Sequence, residues 1–186
     1  ALLERAIALG RETLAAEGRK RPEGPGGFVV LGMGKLGGQE LNYSSDIDLL
    51  FVYEASGDPV EANRYYNDLS EFVLKAMETP SSLGNLFRVD MNLRPEGMGD
   101  LARPLESYLR HYEERSQPWE LQALTKARPC AGDKGLGERF LKEVEPFIFR
   151  KSFDAVYLKE MREIMGLIKR KMEGKGRART QVKLGR

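Results

Sequence analysis

Gly32-Met33-Gly34-Lys35-Leu36-Gly37-Gly38 is followed, across only Gln39 to Ser45, by Asp46-Ile47-Asp48-Leu49-Leu50-Phe51-Val52-Tyr53. The apolar tail Leu49 to Tyr53 is rich in β-prone residues, so residues 46–53 predict a strand. The glycines formally match G-x-G-x-x-G, a weak signal by itself. A dinucleotide site needs a helix that opens directly after those glycines and holds a pyrophosphate at its N-terminus. No crossover helix fits between Gly38 and Asp46, which argues against such a site. Gly-Lys-Ser and Gly-Lys-Thr are absent, so the segment is not a P-loop. What remains is a tight glycine turn. It is either a plain turn or one whose backbone N–H groups approach a phosphate.

Working outward, Phe28-Val29-Val30-Leu31 is a short apolar run that predicts a buried strand. Before it, Leu3, Ala6, Ile7 and Leu14 mark a helix over 2–17, and the Gly- and Pro-rich residues 18–27 a loop. Pro59 to Met77 predicts a helix, with Pro59 in the first turn and Tyr66, Leu69, Phe72, Val73 and Ala76 on one face. Residues 86–93 read as the clearest strand, with Val89, Met91 and Leu93 on one side and Arg88, Asp90 and Asn92 on the other. Pro95-Glu96-Gly97 ends it. Helices are expected over 104–115, 118–127, 135–147 and 153–173. Three strands followed by helices predict an α+β fold, a small mixed sheet with a helical C-terminal half. The expected division is an N-terminal helix and loop (1–27), a catalytic domain (28–150), and a C-terminal helix with a basic tail (151–186).

The 186 residues suit one domain with a helical annex, and 41% hydrophobic with 31% charged residues is ordinary for a globular protein. A single Cys rules out an internal disulfide and fits a reducing cytoplasm. No apolar run approaches the roughly 18 residues of a membrane span, and the charges of Glu4 and Arg5 come too early for a signal peptide. A net charge of +2 argues against a nucleic-acid binder. The basic run from Lys169 onward reads as a solvated tail or as an anion-binding arm. The chain starts in mid-helix without Met and stops at Leu184-Gly185-Arg186, so a piece of a longer protein is expected.

Asp46 and Asp48 carry the chemistry. Residues two apart in a strand share a face, so both carboxylates project together while Ile47 packs behind. Like charges so close repel unless a cation sits between them. Magnesium prefers carboxylate and phosphate oxygens. Asp-x-Asp is common by chance, but Asp90 adds a third carboxylate on what reads as a covered strand, where an unpaired charge is costly. A glycine turn, Asp-x-Asp on one strand and a lone Asp on a later strand form a nucleotidyltransferase arrangement. Three carboxylates can hold two metals for in-line attack at phosphorus.

Gly32 to Leu41, running into Ser44-Ser45-Asp46-Ile47-Asp48-Leu49, resembles the signature of glutamine synthetase adenylyltransferases. The likeness continues in Arg88-Val89-Asp90-Met91-Asn92-Leu93-Arg94-Pro95-Glu96-Gly97, in Trp119 to Pro129, in Ala131-Gly132-Asp133 and in Val182 to Arg186. Asn92 and Leu121 depart from it, standing where that family often has Arg. The resemblance implies a DNA polymerase β-like nucleotidyltransferase fold. It also implies transfer of AMP to or from a tyrosine of glutamine synthetase. Such proteins carry two catalytic domains, one that adds AMP from ATP and one that removes it with phosphate to give ADP. Met33 after Gly32, Asn42-Tyr43-Ser44-Ser45 and the final Lys183-Leu184-Gly185-Arg186 look more like the removing domain. The alternatives are the forward reaction and a domain that only docks glutamine synthetase.

By position, the resemblance assigns magnesium to Asp46, Asp48 and Asp90. It turns Ser45, Gly37 and Gly38 toward the phosphates and makes Arg94, Lys126 and Arg128 anion contacts. It implies glutamine synthetase, ATP or ADP, phosphate and a nitrogen-signalling regulator as partners. Arg94 paired with Glu96, and Lys126 with Arg128 as a solvated helix end, are the bland readings of those cations. Trp119 and Cys130 read as packing residues and His111 as a residue on a helix surface.

Overall fold

The computed structural model describes residues 1–22, 26–43, 45–79, 87–95 and 99–149, and beyond these only Lys159, Arg162, Glu163, Gly166, Leu167 and Arg170. Two compact units, Ala1–Phe149 and Arg150–Arg186, make up the chain. The six described residues of the second unit are helical. The rest of the expected helix 153–173, and the tail beyond it, lie outside the described residues.

In chain order the first unit contains α1 (Leu2–Ala16), β1 (Phe28–Gly32), α2 (Gly34–Gly37), β2 (Ile47–Tyr53), α3 (Pro59–Glu78), β3 (Val89–Asp90), β4 (Ala102–Pro104), α4 (Leu105–Glu114), α5 (Pro118–Leu124), β5 (Arg128–Gly132) and α6 (Lys134–Ile148). The result is a small mixed sheet with helices, as the α+β reading expects. The sheet runs β3-β2-β1-β5, and β4 also pairs with β2. β1 is antiparallel to both β2 and β5, whereas β3 and β4 run parallel to β2. Because β1 and β2 are antiparallel neighbours, their connection needs no crossover helix. This agrees with the exclusion of a dinucleotide fold.

Alternation along β1 and β2 builds the core. Phe28, Val30, Ile47, Leu49, Phe51 and Tyr53 pack with Ala6, Ile7 and Leu14 of α1 and with Tyr65, Tyr66, Leu69 and Val73 of α3. Rings stack through it: Phe28 on Phe51 at 5.8 Å, Phe28 on Tyr66 at 5.7 Å and Tyr53 on Tyr66 at 4.5 Å. On the other side, the Tyr108 hydroxyl donates to the Phe51 carbonyl at 3.2 Å. Asp58 opens α3, accepting the N–H groups of Val60 (2.7 Å) and Glu61 (3.3 Å) with Pro59 in the first turn. No helix among the described residues is long and apolar enough to cross a membrane.

Several expectations need correction. The strand expected over 86–93 is ordered as a strand only at Val89–Asp90, and Leu86 lies outside the described residues. The Asp90 Oδ1 accepts the backbone N–H of Asn92 at 2.7 Å, a local turn that competes with strand pairing. β3 is moreover an edge strand and Asp90 is half-buried, so the argument from a covered central strand does not apply to it. The glycine turn is a one-turn helix, α2. Among the described residues the sheet has five strands, not three. β4 is only three residues long, and β5 contains Pro129, which is tolerated because β5 is at an edge. His111 is not on a helix surface. It is 4% exposed, and its Nε2 lies 2.8 Å from Oε2 of buried Glu120. It belongs to the buried stripe Leu105, Tyr108, His111 and Tyr112 of α4. Trp119 is half-buried, and Cys130 packs its sulfur over Gly32.

Two stability predictions follow from this packing. Glu120 closes the capping box of α5 by accepting the Gln117 N–H at 2.8 Å while also holding His111. Glu120→Ala is therefore expected to lower unfolding stability by about 1–3 kcal/mol, read as a shift in the urea midpoint. An unshifted midpoint would contradict this role. A Cβ on Gly37 would stand 1.9 Å from the Lys126 carbonyl oxygen and 2.4 Å from that of Gly32. Those are backbone atoms that cannot rotate away, so Gly37→Ala is expected to cost about 1–3 kcal/mol. A wild-type melting curve for that variant would contradict it.

Candidate functional site

The candidate site lies where β1 ends and β2 and β3 begin. The Ile47 N–H donates to the Arg88 carbonyl at 2.9 Å, and the parallel register pairs Ile47 with Val89 and Asp48 with Asp90. Register partners on adjacent strands point their side chains the same way. Asp48 and Asp90 therefore stand side by side, whereas Ile47 is buried in the core. The Met33 N–H donates to the Asp48 carbonyl at 2.9 Å and brings the start of α2 over the pair. A Cβ on Gly34 would stand 2.7 Å from the Asp48 Oδ2, and Gly34 has φ +50°. Gly34 thus keeps the space above Asp48 open and takes a backbone conformation that favours glycine.

The electrostatics are uneven. Burial pushes the Asp48 carboxyl above the usual carboxylate range, and the charges of Asp90 and Asp46 push it further, while Lys35 pulls the other way. Asp46 precedes the strand and is exposed. Its Oδ1 lies 2.6 Å from the Arg88 Nε. The donors suit a hard cation such as magnesium, and the strain on Asp48 is what a cation would relieve. Among the described residues, however, no three His, Cys, Asp or Glu side chains are gathered as a metal site. Asp46 is engaged by Arg88, and Asp90 accepts the Asn92 N–H.

The other predicted residues are distributed as follows. The N–H groups of Gly37 and Gly38 close α2, donating to the carbonyls of Met33 (3.0 Å) and Gly34 (3.1 Å). Neither residue has positive φ. Gly37 is required by the close approach of the Lys126 carbonyl, and the atoms nearest a Cβ on Gly38 belong to the side chains of Glu40 and Lys126. The Ser45 hydroxyl accepts the Asn42 N–H at 3.3 Å. Neighbouring Ser44 is outside the described residues. Lys126 forms an ion pair with Glu40. Arg128 donates from Nε to the Gly37 carbonyl (3.1 Å) and from Nη2 to the Leu36 carbonyl (3.2 Å), capping α2. Arg94 ties the turn after β3 together through the carbonyls of Met91 (3.0 Å) and Asp100 (3.3 Å). Its suggested partner Glu96 lies outside the described residues. Leu121 is buried.

The structure therefore sets Asp48 beside Asp90, leaves Asp46 on Arg88 at the same end of the sheet, and sets Lys126 and Arg128 against α2. Sequence reading overlooked Gly34, Lys35, Glu40 and Arg88. For Arg88 a signal existed, since the alternation that singled out Asp90 puts both residues on one side of the strand. For Gly34 there was none, because four glycines in seven residues look alike until one has positive φ. Clefts of about 330 and 420 Å³ lie at the other end of the sheet, around Gly26, Gly27 and Asp133, and include none of the three carboxylates.

Residues 1–143 match the model of the glutamate-ammonia ligase adenylyltransferase family. The chain is 44% identical over 148 residues to a bifunctional glutamine synthetase adenylyltransferase/adenylyl-removing enzyme of Agrobacterium fabrum, covering 77% of this chain and 15% of that protein. Proteins of the same name from Bartonella quintana and Thioalkalivibrio sulfidiphilus are 41% and 38% identical over 168 and 176 residues, covering 88% and 91% of this chain. The chain spans only 17% and 18% of those two relatives. On the match over residues 1–143 and these identities, the chain belongs to the glutamate-ammonia ligase adenylyltransferase family.

Proposed function

We propose that residues 28–150 form a nucleotidyltransferase domain of the DNA polymerase β-like type that transfers AMP on a tyrosine of glutamine synthetase. In this reading α1 and the segment after it (1–27) brace the domain, and residues 151–186 are a separate C-terminal part. The preferred direction is removal. An oxygen of hydrogen phosphate bonds to the AMP phosphorus, the bond from phosphorus to the tyrosyl oxygen breaks, and that oxygen keeps the electron pair and takes the proton that the phosphate gives up. The products are free tyrosine and ADP. The observation that carries this reading is the pairing of Asp48 with Asp90 under Gly34. Met33 and Asn42-Tyr43-Ser44-Ser45 support the removing direction by resemblance, while the relatives' printed names include both an adenylyltransferase and an adenylyl-removing activity.

Magnesium, when bound, supplies positive charge beside the phosphoryl oxygens, and Asp48, Asp90 and Asp46 are the residues that would hold it. The chain's own groups do the rest. Gly34 leaves room above Asp48 for a phosphate oxygen. Lys126, once it parts from Glu40, offers an ammonium to the incoming phosphate, and Arg94 and Arg128 set a positive rim. Gly37, Gly38 and Ser45 shape the floor by fixing α2 and the loop before β2. A nitrogen-signalling protein is proposed as a regulatory partner.

The test is incubation with AMP-modified glutamine synthetase, phosphate and magnesium, following ADP, beside a reaction of ATP with the unmodified protein. ADP release is expected. AMP attachment from ATP would reverse the direction. Neither reaction, together with no magnesium-dependent nucleotide binding, would leave a docking domain. Asp48→Asn keeps volume and removes charge, so turnover is expected to fall on the order of 100-fold or more. Ionising Asp48 is opposed in the folded state by burial and by two carboxylates. The same variant should therefore melt at or slightly above the wild-type temperature at neutral pH without metal. Full activity would sink the metal role, and a large loss of stability would make Asp48 a structural acceptor.

A further inference from the structure

We propose that Arg88 is a positioning residue that holds Asp46 away from the Asp48–Asp90 pair until a divalent cation takes the place of its guanidinium. The inference rests on the reading of Asp48 and Asp90 as a cation centre. It also accounts for the mismatch between a donor set that suits magnesium and an arrangement in which three carboxylates do not converge.

The geometry begins with the backbone. The Arg88 carbonyl accepts the Ile47 N–H at 2.9 Å, which fixes residue 88 one place before Val89, the register partner of Ile47. From there its side chain crosses to the neighbouring strand, and its Nε reaches the Asp46 Oδ1 at 2.6 Å. Arg88 and Asp90 are two apart around Val89, so one short strand delivers both a carboxylate to Asp48 and a cation to Asp46. Without the guanidinium, three carboxylates would face one another across two strands, one of them already under strain from burial. Arg88 offsets that repulsion. The pair is also weak enough to open. The side chains are 71% and 47% exposed, and exposed ion pairs contribute little. A doubly charged hard ion shared by three carboxylates offers Asp46 more than one solvated guanidinium.

The experiment is a magnesium chloride titration of the ¹⁵N-labelled chain followed by NMR, with the Arg88 Nε–H signal identified by its loss in Arg88→Lys. That signal should move as magnesium is added and saturate together with the amides of Asp48 and Asp90. Arg88→Gln should bind magnesium more tightly, by up to about five-fold, because an exposed pair no longer competes. Lys35→Gln, which removes a charge near Asp48 without breaking the Arg88 contact, should change affinity less, and its effect should fade with salt. An Arg88 signal that stays put while the amides saturate would overturn the proposal. So would weaker binding in Arg88→Gln, or an equal gain in Lys35→Gln. Should Asp48→Asn bind magnesium as well as the wild type, the cation centre fails and the exchange fails with it.

Discussion

Asp48 and Asp90 are register partners on two parallel strands, and the hydrogen bond from the Ile47 N–H to the Arg88 carbonyl fixes that register. A slip of β3 by one residue would turn Asp90 to the other face and away from Asp48. The constraint is anchored by the core, since Ile47, Leu49, Phe51 and Tyr53 fill the interior under α3 and leave Asp48 no other direction to face. The aromatic stack of Phe28, Phe51, Tyr53 and Tyr66 is remote from the chemistry but still sets its geometry, because it decides which side of β2 is inside.

Around that pair the charges are already partnered. Arg88 engages Asp46, Lys126 engages Glu40, and Arg128 caps the carbonyl end of α2. On the proposed function, binding an anion and a cation would exchange these partners instead of creating bare charges, which keeps the desolvation penalty small. α2 is central to this arrangement. One turn long, it would be unstable alone. It persists because β1 feeds it, Arg128 closes it, and Gly37 lets the Lys126 backbone approach.

Much of the scaffold was legible in the sequence. α1, β1, β2 and α3 fall within a residue or two of their expected bounds, because each has a long periodic or wholly apolar signal. α4 and α6 match their expected bounds as closely, whereas the other strands were set by tertiary context. β4 and β5 are short, carry proline and exist through pairing with β2 and β1. β3 looked longer than it is because alternation cannot reveal that the Asp90 side chain captures the Asn92 N–H. His111 looked exposed because its buried partner, Glu120, lies on the next helix. At the site, Asp46, Asp48 and Asp90 could be chosen from spacing, whereas the role of Gly34 depends on a close approach that spacing does not encode.

Whether these strands form a cation centre is tested most directly by diffraction from crystals soaked in manganese, a stand-in for magnesium with a strong anomalous signal. The account predicts a peak between Asp48 and Asp90, within about 2.0–2.3 Å of an oxygen from each, with Asp46 turned away from Arg88. A peak elsewhere, or none at a concentration that saturates binding in solution, would contradict it.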